Sequence, residues 1–151
     1  MVTRRFAKLI ETRAEKIAKL WLKEVKASKY TPTYHAFSEE ELFNLALRVY
    51  ESLGYWLSPE TQREEIRLYY MDSGKQRYLE GFRLEEVVMA LILLKRYLWL
   101  EVLSEGFVSS NLELYQVLEL NNRVVLYFDR AVYFTIAGYQ EALEEAARQQ
   151  F

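Results

Sequence analysis

The chain contains no cysteine, one histidine, two prolines and five glycines in 151 residues. Without cysteine there is no disulfide, no thiolate metal site and no cysteine nucleophile. One histidine, His35, cannot supply the Glu-x-x-His pairs that a di-iron bundle needs on two helices. Nor can it act as the proximal ligand of a haem globin, which belongs on a helix roughly two-thirds along the chain. We therefore expect no cofactor and no metal. His35 reads as a buried or loop-capping residue, with ligand sensing as the alternative. No G-x-S-x-G, phosphate loop, dinucleotide fingerprint or H-E-x-x-H occurs in the sequence, so no enzyme is expected.

Long apolar runs are also lacking. The longest uncharged apolar stretch is Val87–Leu94, far short of the ~20 residues a membrane span needs. A signal peptide would need an apolar segment and a small-residue cleavage site behind the basic N-terminus. Neither is present, and a soluble cytoplasmic protein is expected. The net charge of −2 gives no general attraction to nucleic acid. It is unevenly spread: residues 1–29 hold nine Lys/Arg against three Glu, or +6, leaving 11 basic against 19 acidic residues, or −8, in the rest. The basic segment is either a solvated face leaning on an acidic body or a contact for an acidic partner or membrane surface.

What the sequence has in quantity is helical periodicity. Apolar residues make up 51% of it, so a packed core is expected rather than disorder. Phe6, Ile10, Ala14, Ile17, Trp21 and Val25 recur at helical spacing and predict a first helix over about 3–28, with Leu9 and Leu20 widening the stripe. Residues 29–35 read as a loop stopped by Pro32. Ser38 with Glu41 forms a capping box before a second helix with Leu42, Leu45, Val49, Leu53 and Trp56 inward. Ser58-Pro59 predicts a cap and first-turn proline for a third helix over about 59–78, with Ile66, Tyr69 and Tyr70 inward. A fourth helix is expected over 84–104, apolar all round between Val87 and Leu94 and so buried on several sides. Gly106 should end it.

Ser110 and Glu113 make a second capping box for a last helix over about 111–150. Its stripe is Leu114, Val117/Leu118, Val124/Val125, Phe128, Val132 and Ile136. Gly138 inside it predicts a bend or a close approach. The fold class expected is all-α: one helical domain of about five main helices, bundle or globin-like, around a buried central helix.

Several groups are candidates for a ligand pocket or for signalling. Tyr69, Tyr70, Tyr78, Tyr97, Tyr127, Tyr133 and Tyr139 fall on the third, fourth and fifth helices and could line a cavity for a small apolar or amphipathic ligand, or serve core and dimer packing. Asp129 sits in the apolar run VVLYFDRAVYF. If buried it needs a partner, for which Arg77, Arg83 and Arg96 are the candidates. If it points to solvent it needs none. Gly74 and Gly81 are read as bracketing the corner before the fourth helix, whose first turn carries Glu85 and Glu86 in keeping with the helix dipole.

Three blocks are similar to a known family. They are Trp21-Leu-x-x-Val25 with Tyr30-x-Pro-x-Tyr34; Gly74-x-x-Arg77-x-x-x-Gly81-x-x-Leu84-x-Glu-Val-Val88-x-Ala-Leu91-x-Leu-Leu-x-Arg96; and Phe128-Asp-x-Ala131-x-Tyr133 with Gly138-Tyr139. In this order they resemble the RsbRD N-terminal family of RsbR-type stressosome co-antagonists and some bacterial histidine kinases. The resemblance implies a bacterial input domain with a haem-free, globin-like fold that dimerises. It also implies an output module after the last helix, either a phosphorylatable regulatory domain or a histidine kinase. Residues 1–151 would then be one input domain, with 139–151 a linker helix toward that module. A stand-alone small apolar-ligand-binding protein is the other reading. A last helix of about 40 residues would span about 60 Å, against about 35–40 Å for a domain of this length. It must bend, project or pack on another chain, so a homodimer through this helix and the first one is expected. The stripe continues as Tyr139, Ala142, Leu143 and Ala146.

Overall fold

In the computed structural model, which describes residues 2–58, 61, 63–105 and 111–150, every regular element is a helix. They are α1 (Val2–Thr12), α2 (Ala14–Ala27), α3 (Pro32–Ala36), α4 (Glu39–Glu51), α5 (Leu53–Leu57), α6 (Arg63–Leu79), α7 (Leu84–Ser104) and α8 (Asn111–Gln149). The all-α class is as expected, with eight helices where about five were anticipated because two long stretches are broken and one loop is helical. The expected start at Pro59, the stop at Gly106 and the Ser110/Glu113 capping box lie outside the described residues.

The first break is at Arg13, between α1 and α2. The inward stripe survives it: Phe6, Ile10, Ala14, Ile17, Trp21 and Val25 are all buried, whereas Leu20 is exposed. Across the step both helices pack on α4 and α7, and α1 reaches α5 and α8 as well. Arg13 spans the step, donating from Nη1 to Glu101 at 2.9 Å and to Glu105 at 2.5 Å, with Lys16 donating to Glu101 at 3.1 Å. Glu101 is buried on α7. Burial pushes its carboxyl up, but the hydrogen bonds from Lys16 and Arg13 outweigh that and hold it below the usual carboxylate range.

The second break, at Ser52, separates α4 from α5. Between α2 and α4 the expected loop is the short helix α3. Pro32 stands at its first position, where a fixed φ and a missing N–H suit helix initiation rather than termination. His35 lies in its last turn and its Nε2 is 2.7 Å from the Ser28 carbonyl, tying α3 to the end of α2. Ser38 accepts from the Glu41 amide at 3.3 Å.

Helix α7 has the bounds expected for it. Val87, Ala90, Leu91, Leu93, Leu94, Leu98 and Val102 are buried, but Ile92 is exposed, so the covering is not complete. Two of its carbonyls accept a second hydrogen bond from neighbouring helices. Trp21 Nε1 donates to Ala90 O at 2.9 Å, and Tyr50 OH to Leu94 O at 2.7 Å. These carbonyls are one turn apart on one face, so α2 and α4 grip α7 by polar as well as apolar contact.

Helix α8 runs unbroken through Gly138, which marks a close approach. A Cβ on Gly138 would stand 2.0 Å from the Met71 carbonyl oxygen, and one on Gly74 would stand 2.0 Å from the Thr135 carbonyl oxygen. The pairing 71 to 138 and 74 to 135 makes α6 and α8 antiparallel, with backbones in contact. Gly74 is therefore inside α6 and not at the corner.

Of the expected α8 stripe, Val124 and Phe128 are buried, joined by Leu120, Tyr127, Ala131 and Phe134. Leu114 and Leu118 are exposed, because the first turns run past the body of the domain. Asp129 is exposed and forms no ion pair among the described residues. The structural pair considered for it is replaced by Arg77 with Glu80 and Arg83 with Glu85.

Gly138→Ala is expected to cost about 3 kcal/mol in urea unfolding, at the upper end of overpacking effects because the obstacle is backbone. A loss below about 1 kcal/mol would mean that the two helices can separate freely. Glu101→Gln is expected to cost about 1–2 kcal/mol at pH 7, since both cations are partly exposed. Glu101 has a depressed folded pKa, so its stabilising effect is complete above the ordinary carboxylate range and is lost as pH falls through the folded value. The stability gap between wild type and variant should therefore close in acid; a gap constant from pH 7 to 3 would contradict this.

Candidate functional site

Three of the buried polar residues, Arg77, Glu86 and Thr135, lie near where α6 meets α7. Helix α6 ends in a Schellman motif: the Gly81 amide donates to Tyr78 O at 3.0 Å and the Phe82 amide to Arg77 O at 3.1 Å. Gly81 has φ +86°, a conformation that glycine adopts without a Cβ clash. The turn drives Phe82 inward against Tyr34 and Phe37, at centroid distances of 4.4 and 4.8 Å. Tyr139 of α8 donates to the Phe82 carbonyl at 2.6 Å, closing the corner from the other side. One turn into α7, the buried Glu86 accepts from the Thr33 amide and hydroxyl, both at 2.6 Å. Thr33 is in the first turn of α3, so Glu86 supplies from another helix the cap that Thr31 does not.

Beside this corner is a cavity of about 60 Å³. Helices α6 and α7 do not pack closely on each other, and the space between them is the cavity. Its apolar walls come from α2 (Trp21), α4 (Leu45, Ala46, Val49) and α7 (Val87, Ala90, Leu91, Leu94). Its polar groups come from α6 (Tyr69, Ser73, Arg77), α8 (Thr135) and α3 (Tyr34). Arg77 is almost wholly buried. Its Nε donates to Glu80 at 2.6 Å and its guanidinium lies 6.0 Å from the Phe82 ring centroid. The terminal Nη atoms make no hydrogen bond within the described residues. Thr135 is 1% exposed, and its Oγ1 is buried with no partner among the described residues.

Tyr70, which lines the cavity, belongs to an aromatic cluster that runs away from it on the α6–α8 side. Tyr70 and Tyr127 share a hydroxyl–hydroxyl hydrogen bond, and Trp56 stacks on Tyr127 at 6.1 Å. Burial raises the Tyr70, Tyr127 and Tyr34 phenols, so all three are neutral, and the two that line the cavity, Tyr34 and Tyr70, meet it as uncharged rings.

The structure thus brings Tyr69, Tyr70 and Arg77 of the sequence candidates to one cavity. It places the others elsewhere. Tyr97 reaches toward Glu24 of α2 at 3.4 Å. Arg96, Asp129 and Tyr133 are exposed. Thr135 is not among the sequence candidates and Glu86 is read there only as a helix-dipole acid, although spacing marks both. Thr135 follows Phe128 and Ala131 and precedes Gly138 on one α8 face, and Glu86 heads the 86–90–94–98 stripe of α7. Among the described residues no three His, Asp or Glu side chains come together as a metal site, and no helix is long and apolar enough to cross a membrane.

Comparison with known proteins finds one family, described as the RsbT co-antagonist protein rsbRD N-terminal domain, which matches residues 15–151. No curated protein and no solved structure matches.

Removing the unpartnered hydroxyl with a side chain of the same shape, Thr135→Val, is expected to raise stability by about 1 kcal/mol. Chemical denaturation gives the sign directly; a loss of stability would mean that cavity water satisfies the hydroxyl.

Proposed function

We propose that this chain, which belongs to the RsbT co-antagonist protein rsbRD N-terminal domain family, is the input domain of a bacterial signalling protein of stressosome type and works as a homodimer. It passes a change in its own packing through α8 to an output module, a phosphorylatable regulatory domain or a histidine kinase. Residues 139–151 act as the linker helix toward that module. The observation that carries the relay is the reach of α8. Its 39 residues span about 58 Å, but among the described side chains its buried positions run from Leu120 to Ala142, about 33 Å of helix. It overhangs the domain at both ends.

The two overhangs differ in chemistry. Toward the N-terminus Leu114, Tyr115 and Leu118 are exposed, and on α7 Leu100 and Leu103 are exposed too, Leu103 by 74%. Toward the C-terminus Glu144, Glu145 and Arg148 dominate. Exposed leucines on adjoining turns are costly in water, so the N-terminal part of α8 and the end of α7 are the seam of the dimer. The apolar face of α1 is already spent inside the chain, since Phe6, Ala7 and Ile10 are buried there. It contributes to the seam only through its exposed basic side.

The second reading, a small-molecule binding protein, is favoured by the cavity with its unpartnered Thr135 hydroxyl. It is compatible with the first, because an input domain needs an input.

Light scattering of the intact chain is expected to give a dimer mass at micromolar concentration, and Leu118→Glu a folded monomer by the same measurement with unchanged circular dichroism. A monomeric wild type would reject the dimer. For the relay, the chain is fused in helical register to a histidine kinase core. Inserting three residues after Gln149 should change autophosphorylation at least severalfold relative to inserting seven, because three residues rotate the output by about 300° and seven nearly restore the phase. Equal activity of the two fusions would reject relay through α8.

A further inference from the structure

The cavity between α6 and α7 is two-faced. Trp21, Ala46, Val49, Leu91 and Leu94 give it a dry side, and the hydroxyls of Ser73 and Thr135 with Arg77 give it a hydrogen-bonding side. A wholly apolar void would need no explanation beyond imperfect packing. A buried hydroxyl without a partner is different. Burying such a group unpaired is unfavourable, and here it faces a space large enough to hold a partner.

We propose that this cavity is the binding site for a small neutral amphipathic molecule, of the class of short-chain ketones and amides, whose oxygen meets Thr135 and Arg77 and whose carbon chain lies against Val49, Leu91 and Leu94. This deepens the input-domain reading and rests on it for the step from binding to signal. The size follows from the space. A water needs about 10–15 Å³ by this measure, so about 60 Å³ holds about four to six non-hydrogen atoms.

The neutrality follows from the charges. Arg77 already has Glu80 on its Nε. Glu86 is buried one turn from Ala90 and takes its hydrogen bonds from uncharged Thr33. An anionic ligand would add a third negative charge to one positive charge, and a cation would meet Arg77 directly. In a site of low dielectric both are penalised. A carbonyl oxygen accepts from the free Nη groups and the Thr135 hydroxyl without bringing charge.

The occupant would also be positioned to act on the relay. Thr135 is one turn from Gly138, and its carbonyl is the atom that Gly74 touches. A ligand there presses on the α6–α8 contact itself.

The test uses the intact chain labelled with ¹⁵N and four probes of matched size: 2-butanone, propionamide, butyrate and butylammonium. The indole N–H of Trp21, held on Ala90 O beside the cavity, is the reporter. 2-Butanone and propionamide are expected to shift it saturably, with dissociation constants of about 1 mM, well short of the ceiling on affinity for so few atoms. Butyrate and butylammonium should bind at least about tenfold more weakly. Thr135→Val should weaken the neutral probes by about five- to tenfold while leaving the spectrum folded, and Ala46→Leu, which fills the space, should abolish the shift. No saturable shift with any probe, or equal affinity in wild type and Thr135→Val, overturns the site. Tightest binding of butyrate overturns the neutral class. The dimer and the relay are read by mass and by kinase fusion, so their failure leaves this measurement untouched and its failure leaves theirs.

Discussion

A helix that is apolar on nearly every side must be covered from nearly every side, and α7 imposes that demand on the rest of the chain. Its backbone is hydrogen-bonded within itself, so what its neighbours add is mainly removal of water from Val87 to Val102. Helix α2 does this with Trp21 and α4 with Tyr50, each large enough to bury a wide face and each carrying one polar atom to place. Both place it on an α7 carbonyl. These bonds fix the rotation of α2 and α4 about α7 more tightly than apolar contact alone could. The break at Arg13 belongs to the same demand. It lets α1 and α2 both lie on α7, α1 through Phe6 against Trp99 and α2 through Trp21.

The side that α6 should cover is instead held open. Helix α6 is committed to α8 through Gly74 and Gly138, and the backbone contact there leaves it no freedom to lean toward α7. The cavity is therefore a consequence of two glycines as much as of the residues that line it. Filling it by collapse would mean prising apart the closest helix pair in the molecule.

Much of this was legible in the sequence. The bounds of α7 followed from its apolar run, and the inward faces of α1, α2 and α4 followed from spacing alone, because burial enforces periodicity regardless of partner. The breaks at Arg13 and Ser52 were not legible. Neither residue is a breaker, and both interruptions arise from what the helix must cover on either side. Pro32 was read as a stop because proline cannot sit in a helix interior; only the Glu86 carboxylate, more than fifty residues away in sequence, shows that a helix begins there. The cavity candidates split for a similar reason. Tyr69, Tyr70 and Arg77 lie on one α6 face and could be grouped by spacing. Whether Tyr97, Arg96, Asp129 and Tyr133 turned toward the same space depended on the azimuth of α7 and α8, which a single sequence does not contain. Thr135 was passed over because a lone threonine in an apolar stripe looks like filler.

The paired glycines also limit what kind of motion the domain can make. Each notch receives a carbonyl of the facing helix, and on each helix the notch and the contacting carbonyl are three residues apart. Axial slippage by a fraction of a turn would drive a Cβ-bearing residue onto backbone, so the pair cannot glide; it is keyed like a rack and pinion locked at one tooth. Whatever displaces α8 must carry α6 with it as one strut, and the compliance has to come from the joints at Arg13, Ser52 and the Gly81 corner.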